Sequence, residues 1–169
     1  MRQQIQSTVL LLVILLLSSC NGIEIKEYKN TEELVEEARS QIELISQKEL
    51  KAAIDNDEQF YLIDCREGAA YDSASIPGAI HIPRGLLEFQ ISSKAHDHNR
   101  NVYVFCEDGC KSALAATVLP MLKYSHVKSL KDGFNAWKQN YPDMVELEPA
   151  GDESASSVPA PASGGGCGG

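Results

Sequence analysis

The residues best suited to chemistry lie together in the run Phe105-Cys106-Glu107-Asp108-Gly109-Cys110-Lys111-Ser112-Ala113. Cys106 leaves the apolar, β-branched and aromatic stretch Val102-Tyr103-Val104-Phe105, a loop containing Gly109 follows, and helix-forming residues begin within a few positions. In such an arrangement the unpaired N–H groups of the loop and of the helix start converge on the sulfur. Those donors, with the positive helix end, stabilise a thiolate and lower its pKa, as a sulfur nucleophile requires. Gly109 gives the backbone freedom for so tight a curl. Cys106 is therefore the candidate nucleophile, and Glu107, Asp108, Gly109, Cys110, Lys111 and Ser112 form its candidate loop. Lys111 brings a cation, though as a point charge without the planar fork that grips an oxyanion. Glu107 and Asp108 act the other way. Unless they point to solvent, two carboxylates beside the nucleophile oppose thiolate formation and repel an anionic donor.

The elements that must hold this loop alternate along the chain. Asn30-Thr31-Glu32-Glu33 is expected to open a helix to about Ser40, with Glu33 placed to complete a capping box. Ile42–Ile45 alternates as a short strand, and a second capping box at Ser46-Gln47-Lys48-Glu49 starts a helix with Leu50, Ala53 and Ile54 on one face. Phe60–Ile63 is a buried-type strand ending at Asp64. The turn Ile76–Ala79 leads to a short strand at Ile80–Ile82, and a modest helix begins over Leu86–Ile91. After the Val102–Phe105 strand, Leu114, Thr117, Val118, Met121 and Leu122 recur at helical spacing, with Pro120 expected to kink or break that helix. Val127–Leu130 is a last strand and Phe134–Asn140 a last helix. This alternation predicts an α/β fold, a mostly parallel five-stranded sheet with helices on both faces, in a single domain. Ligands of such sheets bind beyond the carboxyl ends of the strands, which points to Asp64-Cys65-Arg66 and to Cys106.

Composition narrows the function. With 169 residues the chain is long enough for one such domain plus appendages. A formal charge of −9 with no basic stripe argues against a nucleic-acid partner. The five cysteines are odd in number and irregularly spaced, so they do not describe a disulfide framework. No histidine stands near Cys106 and Cys110 in metal-ligand spacing, so no structural zinc site is expected there. At the start, Arg2 precedes the apolar run Val9–Leu17, which is too short to span a bilayer comfortably and fits a signal peptide. Leu17-Ser18-Ser19-Cys20 after it resembles the lipobox of bacterial lipoproteins, which implies cleavage before Cys20 and its acylation. The expected organisation is a signal peptide over 1–19, an acylated tether and short helix over 20–41, the folded domain over 42–148, and a flexible Ala/Ser/Gly-rich tail over 149–169. The protein would then be held in the cell envelope, on a lipid membrane through Cys20, facing the periplasm or exterior.

Four segments in order resemble rhodanese domains, the sulfurtransferase family. Leu62-Ile63-Asp64-Cys65-Arg66-Glu67 is similar to a family segment that carries valine where Cys65 stands, and Ser75–Pro83 to the following turn. Val104–Ala113 resembles the active-site segment, with Lys111 where many relatives have arginine, and Leu130–Trp137 the closing segment, with Asp132 in place of its first glycine. The resemblance implies a rhodanese-like fold and a persulfide on Cys106, loaded from a small sulfur donor and discharged to a thiol or cyanide acceptor, with no metal or organic cofactor needed. It also implies a supporting pair at Asp64 and Arg66, acting as turn cap and ion pair, and a buried filler role for Cys65.

Other functions remain open on the sequence. Phosphatases and arsenate reductases that share this fold use a C-x₅-R loop; here Ser112 stands at the arginine position and Lys111 one residue earlier. A non-catalytic envelope module that binds a protein partner is a second alternative. A thiol–disulfide role is a third, with Cys110 or the tail residue Cys167 resolving Cys106 or accepting its sulfur.

Overall fold

The computed structural model describes residues 26–147. The expected signal peptide, Cys20 and the Ala/Ser/Gly-rich tail with Cys167 lie outside the described residues. The chain divides into two units, Met1–Leu34 and Val35–Gly169. Helix α1 (Thr31–Gln41) starts in the first and continues into the second, and the Asn30 side chain caps it by accepting the Glu33 N–H at 2.9 Å. The Glu33 carboxylate reaches back to the Lys29 N–H at 2.9 Å, one residue before the cap, so the expected capping box is offset by one.

The sheet belongs to the second unit. Its strands are β1 (Glu43–Ile45), β2 (Phe60–Asp64), β3 (Ile80–His81), β4 (Asn101–Phe105) and β5 (Val127–Leu130). They pair in parallel in the order β1-β5-β4-β2-β3, which puts β4 at the centre. Parallel strands need crossover connections, and these carry the helices α2 (Gln47–Asp55), α3 (Gly68–Ser73), α4 (Leu87–Lys94) and α5 (Cys110–Ala116), while α6 (Gly133–Asn140) follows the last strand. Ser46 caps α2 through the expected box, donating and accepting with Glu49. The alternation of β2 and β4 sorts the core into two layers. Ile63, Val102 and Val104 face Leu87, Ile91, Ala115 and Leu119, whereas Leu62, Tyr103 and Phe105 face Leu50, Phe134 and Trp137. Helices thus cover both faces, and the rhodanese-like α/β architecture expected from the sequence is the one observed.

Three local differences have physical causes. Helix α5 ends at Ala116, and Pro120, which lacks an N–H, sits in the 3₁₀ turn Leu119–Leu122. Helix α3 was not expected: it is short, opens on glycine and buries no residue, so it leaves no apolar period to read. Helix α6 begins at Gly133, behind an Asp132 held at φ 65°. Aspartate tolerates that left-handed conformation, which accounts for its standing where the family carries glycine.

Candidate functional site

Cys106 follows the last residue of the central strand β4 and is fully buried (0% exposed). The loop from Glu107 to Gly109 folds back over the start of α6, which fixes its polarity. The Phe134 N–H donates to the Cys106 carbonyl at 2.7 Å and the Asn135 N–H to the Glu107 carbonyl at 2.9 Å. With those carbonyls turned toward α6, the N–H groups are free for the sulfur. The Ser112 N–H donates to Cys106 Sγ at 3.4 Å, and the Asp108 N–H bonds it as well. The Ser112 hydroxyl lies 3.5 Å from the sulfur and accepts in turn from the Ser129 hydroxyl at 2.9 Å. Ser112 and Ser129 are both fully buried, so this hydroxyl chain has no water to compete with it.

Two glycines make the loop possible. Gly109 takes φ +83°, and a Cβ there would meet the Leu130 carbonyl oxygen at 3.2 Å. Gly133 takes φ +61°, and a Cβ there would lie 2.6 Å from Asp108 N, from Cys106 O and from Glu107 C, inside the loop's own backbone. Only glycine allows α6 to approach so closely.

The Cys106 thiol is held down to about 6. The largest cause is a hydrogen bond from the Cys65 side chain; burial opposes it, and the Ser112 hydroxyl and the Ser112 and Asp108 N–H groups add to it. Cys65 moves the other way: the same contact and its burial push its thiol far up, so of the two sulfurs Cys106 ionises first. The Ser112 N–H lies in the first turn of α5, so the helix start expected to help supplies one of these donors.

The other expected loop residues divide by position. Asp108 is exposed, yet its Oδ1 lies 3.6 Å from Cys106 Sγ while accepting the Cys110 N–H at 3.0 Å. That N–H bond holds its carboxyl below the ordinary range, so it faces the sulfur as an anion. Glu107 is half-buried and makes no such approach to the sulfur among the described contacts. Lys111 points outward, with Nζ 3.8 Å from Glu67 Oε1. Cys110 lies 3.7 Å from the Arg39 guanidinium, and its thiol is pushed up by burial first and then by Asp108. Arg39 comes from α1, and it lines, with Glu36, Lys131 and Asp132, a groove of about 270 Å³ that borders the loop at Gly109. Among the described residues no cluster of His, Cys, Asp and Glu is placed to hold a metal ion.

Asp64 and Arg66 do not reach the sulfur loop. Both are buried, and Arg66 donates to Asp64 Oδ2 at 2.6 Å and to the Ala74 carbonyl at 2.6 Å. Ser75 donates to the same carboxylate at 2.9 Å, and the Arg66 guanidinium lies 3.9 Å from the Phe134 ring centre. The pair ties the end of β2 to the start of α6, beneath the loop. Sequence reasoning missed Arg39, Ser129 and the contact made by Cys65. Only the last had a signal, since Cys65 follows β2 as Cys106 follows β4.

The rhodanese-like domain model matches residues 46–140. The chain belongs to the rhodanese-like domain family. It is 33% identical over 103 residues to a putative sulfur carrier protein, YrkF, of Bacillus subtilis, covering 60% of this chain and 54% of that protein. A probable adenylyltransferase/sulfurtransferase, MoeZ, of Mycobacterium tuberculosis is 31% identical over 102 residues, covering 60% of this chain and 26% of that protein. The chain thus spans about half or less of the curated relatives it matches. A thiosulfate sulfurtransferase from Pseudomonas aeruginosa shares the fold with a TM-score of 0.60 at 24% identity, covering 69% of this chain and 22% of that one. The two curated relatives are thus a putative sulfur carrier and a probable adenylyltransferase/sulfurtransferase, and the C-x₅-R loop of phosphatases has no counterpart here. At the arginine position the buried Ser112 turns its hydroxyl to the sulfur.

Proposed function

We propose that this rhodanese-like domain is a sulfurtransferase that carries a sulfane sulfur as a persulfide on Cys106. The observation that carries the reading is the set of donors on Cys106 Sγ, namely the Ser112 N–H at 3.4 Å, the Asp108 N–H and the Ser112 hydroxyl, with a thiol held to about 6. At neutral pH such a sulfur is a thiolate, the form that attacks the outer sulfur of a donor. The same donors stabilise the persulfide anion that results. An acceptor thiolate or cyanide then removes the outer sulfur and regenerates Cys106.

Asp108 shapes the donor. An anionic carboxylate 3.6 Å from the nucleophile disfavours dianions such as thiosulfate and favours a less charged donor, such as a low-molecular-weight persulfide. The envelope location through an acylated Cys20 belongs to the same proposal, resting on Leu17-Ser18-Ser19-Cys20 after the apolar run. Intact-mass measurement of the full chain after exposure to thiosulfate, mercaptopyruvate or cysteine persulfide tests the reading. A gain of about 32 Da, the mass of one sulfur, that Cys106→Ser abolishes is the expected result. A gain that survives Cys106→Ser refutes it.

A further inference from the structure

Cys106 is not the only cysteine at the carboxyl edge of the central strands. Strands β2 and β4 pair in parallel with Ile63 opposite Val104 and Asp64 opposite Phe105. One residue further, the Cys65 N–H donates to the Phe105 carbonyl at 2.9 Å, so the ladder continues to the level of Cys106. Side chains alternate across a strand, and Ile63, Cys65, Val104 and Cys106 all lie in one core layer. Cys65 and Cys106 are therefore lateral neighbours on adjacent strands, which in sheets run about 4.8 Å apart. That spacing falls inside the Cα separation of about 4.4–6.8 Å that a disulfide spans. The two thiols also shift one another's ionisation in opposite directions, Cys106 down and Cys65 up. Both residues are 0% exposed, and both thiols are free. Cys110 has no comparable placement: it is partly exposed, and its sulfur contacts Arg39.

We propose that Cys65 resolves the Cys106 persulfide from within the core, releasing hydrosulfide and leaving a Cys65–Cys106 disulfide. This rests on the persulfide reading above and adds to it a second outcome, reductive release of sulfide in place of transfer. The Cys65 sulfur attacks Cys106 Sγ, the bond from Sγ to the outer sulfur breaks, and the electron pair leaves with the outer sulfur. The Cys65 proton goes to that sulfur, which departs as HS⁻. The outer sulfur is reduced by two electrons, and the two cysteine sulfurs are oxidised by one each. No outside oxidant enters. A small thiol reductant then reopens the disulfide and resets the site.

Cys65 lies beside Cys106 in the same buried layer, while Asp108 is exposed with Oδ1 3.6 Å from Cys106 Sγ. Displacement at sulfur requires the outer sulfur to leave on the side of Sγ opposite Cys65. Ionisation separates the two buried sulfurs: the Cys65 thiol is pushed up and the Cys106 thiol down, so Cys106 is the one that loads from a donor.

The test uses the full chain without added reductant, at about pH 9 so that loading is not limited by thiol ionisation. Thiosulfate and cysteine persulfide serve as donors in parallel. Sulfite release from thiosulfate and a gain of about 32 Da report loading; sulfide release and a loss of about 2 Da report resolution. The expected wild-type result is one equivalent of sulfide and a peptide linking Cys65 to Cys106. Cys65→Val should instead hold the persulfide at least about tenfold longer and release no sulfide. A wild-type persulfide as long-lived as that of Cys65→Val overturns the role of Cys65 and leaves the sulfurtransferase reading standing. Absence of loading in both proteins with both donors overturns that reading, and this one with it. A disulfide from Cys106 to Cys110 or Cys167 assigns resolution elsewhere and overturns the proposal.

Discussion

Replacing Ser112 by alanine isolates one part of the thiolate-holding machinery. The backbone N–H at 3.4 Å from Cys106 Sγ remains, because any residue supplies it. The hydroxyl at 3.5 Å is lost, and with it the link to Ser129. A hydrogen bond to a charged group contributes about 1.5–3 kcal/mol, and this long contact to sulfur belongs at the low end. One pKa unit corresponds to about 1.36 kcal/mol, so the Cys106 midpoint should rise by about one unit. From a midpoint of about 6, this takes it to roughly 7. The sign follows from the charge: the lost donor favoured the thiolate, so its removal raises the pKa and moves reactivity to higher pH. At pH 7 the thiolate fraction should then fall from about nine-tenths to about one-half. The assay is the pH dependence of iodoacetamide alkylation at Cys106, followed by peptide mass, since the thiolate is the reacting form. Ser129→Ala should shift the same midpoint by less, because Ser129 acts through Ser112. A Ser112→Ala midpoint equal to the wild-type value, or a wild-type midpoint near the ordinary thiol value of about 8.5, would refute the reasoning.

Asp108→Asn keeps an acceptor for the Cys110 N–H and removes the anion 3.6 Å from the sulfur, so kcat/KM for thiosulfate should rise several-fold and its salt dependence shrink. Glu107→Gln should change little, and equal effects at the two positions would contradict the geometry. Gly133→Ala should destabilise the domain by about 2–5 kcal/mol in urea unfolding, from left-handed strain of about 1–2 and a collision with the loop backbone. Gly78→Ala, at φ +79° with nothing within 4 Å of the added Cβ, should cost only the strain, and a matching loss at both sites would refute the collision. Arg66→Leu leaves Asp64 charged and buried and should cost about 3–5 kcal/mol, whereas a loss below about 1 kcal/mol would show the pair to be dispensable. Cys20→Ala should block lipid attachment and leave unprocessed precursor, as read by metabolic fatty-acid labelling; normal processing without the thiol would mean an ordinary signal peptide.

The fold was legible where the residues carry a period. Val102–Phe105 and Val127–Leu130 announce strands by composition, and Ser46 with Glu49 announces the start of α2 by chemistry. Helix α3 was silent because it is short and fully buries no residue, and the turn into α6 was readable only as a departure at Asp132. At the site, Cys106 and its loop stood out because strand, glycine and helix follow one another in the chain. Cys65 did not, because its relation to Cys106 depends on the register of β2 against β4, a pairing between distant segments. Judged against the family's valine it looks like a filler, and by burial it is one. Arg39 was hidden for a related reason: it sits in the acidic helix α1, and nothing in Thr31–Gln41 points to a residue seventy positions on.

The loop answers with its backbone a problem that related chemistries solve with a cation. An arginine clamp at the sixth position after the cysteine would bind a tetrahedral oxyanion through a planar fork. Here that position is Ser112, fully buried, and Lys111 is drawn outward toward Glu67. What remains on the sulfur is a ring of N–H and O–H donors, with one carboxylate on the exposed side. Such a ring stabilises one diffuse negative charge on sulfur, and the carboxylate penalises any second charge brought near it. A thiolate and a persulfide each meet that condition; a phosphorylated cysteine, with two charges on its phosphoryl oxygens, does not. The electrostatics of the site therefore support the proposed sulfur transfer over phosphoryl transfer on a ground separate from loop length.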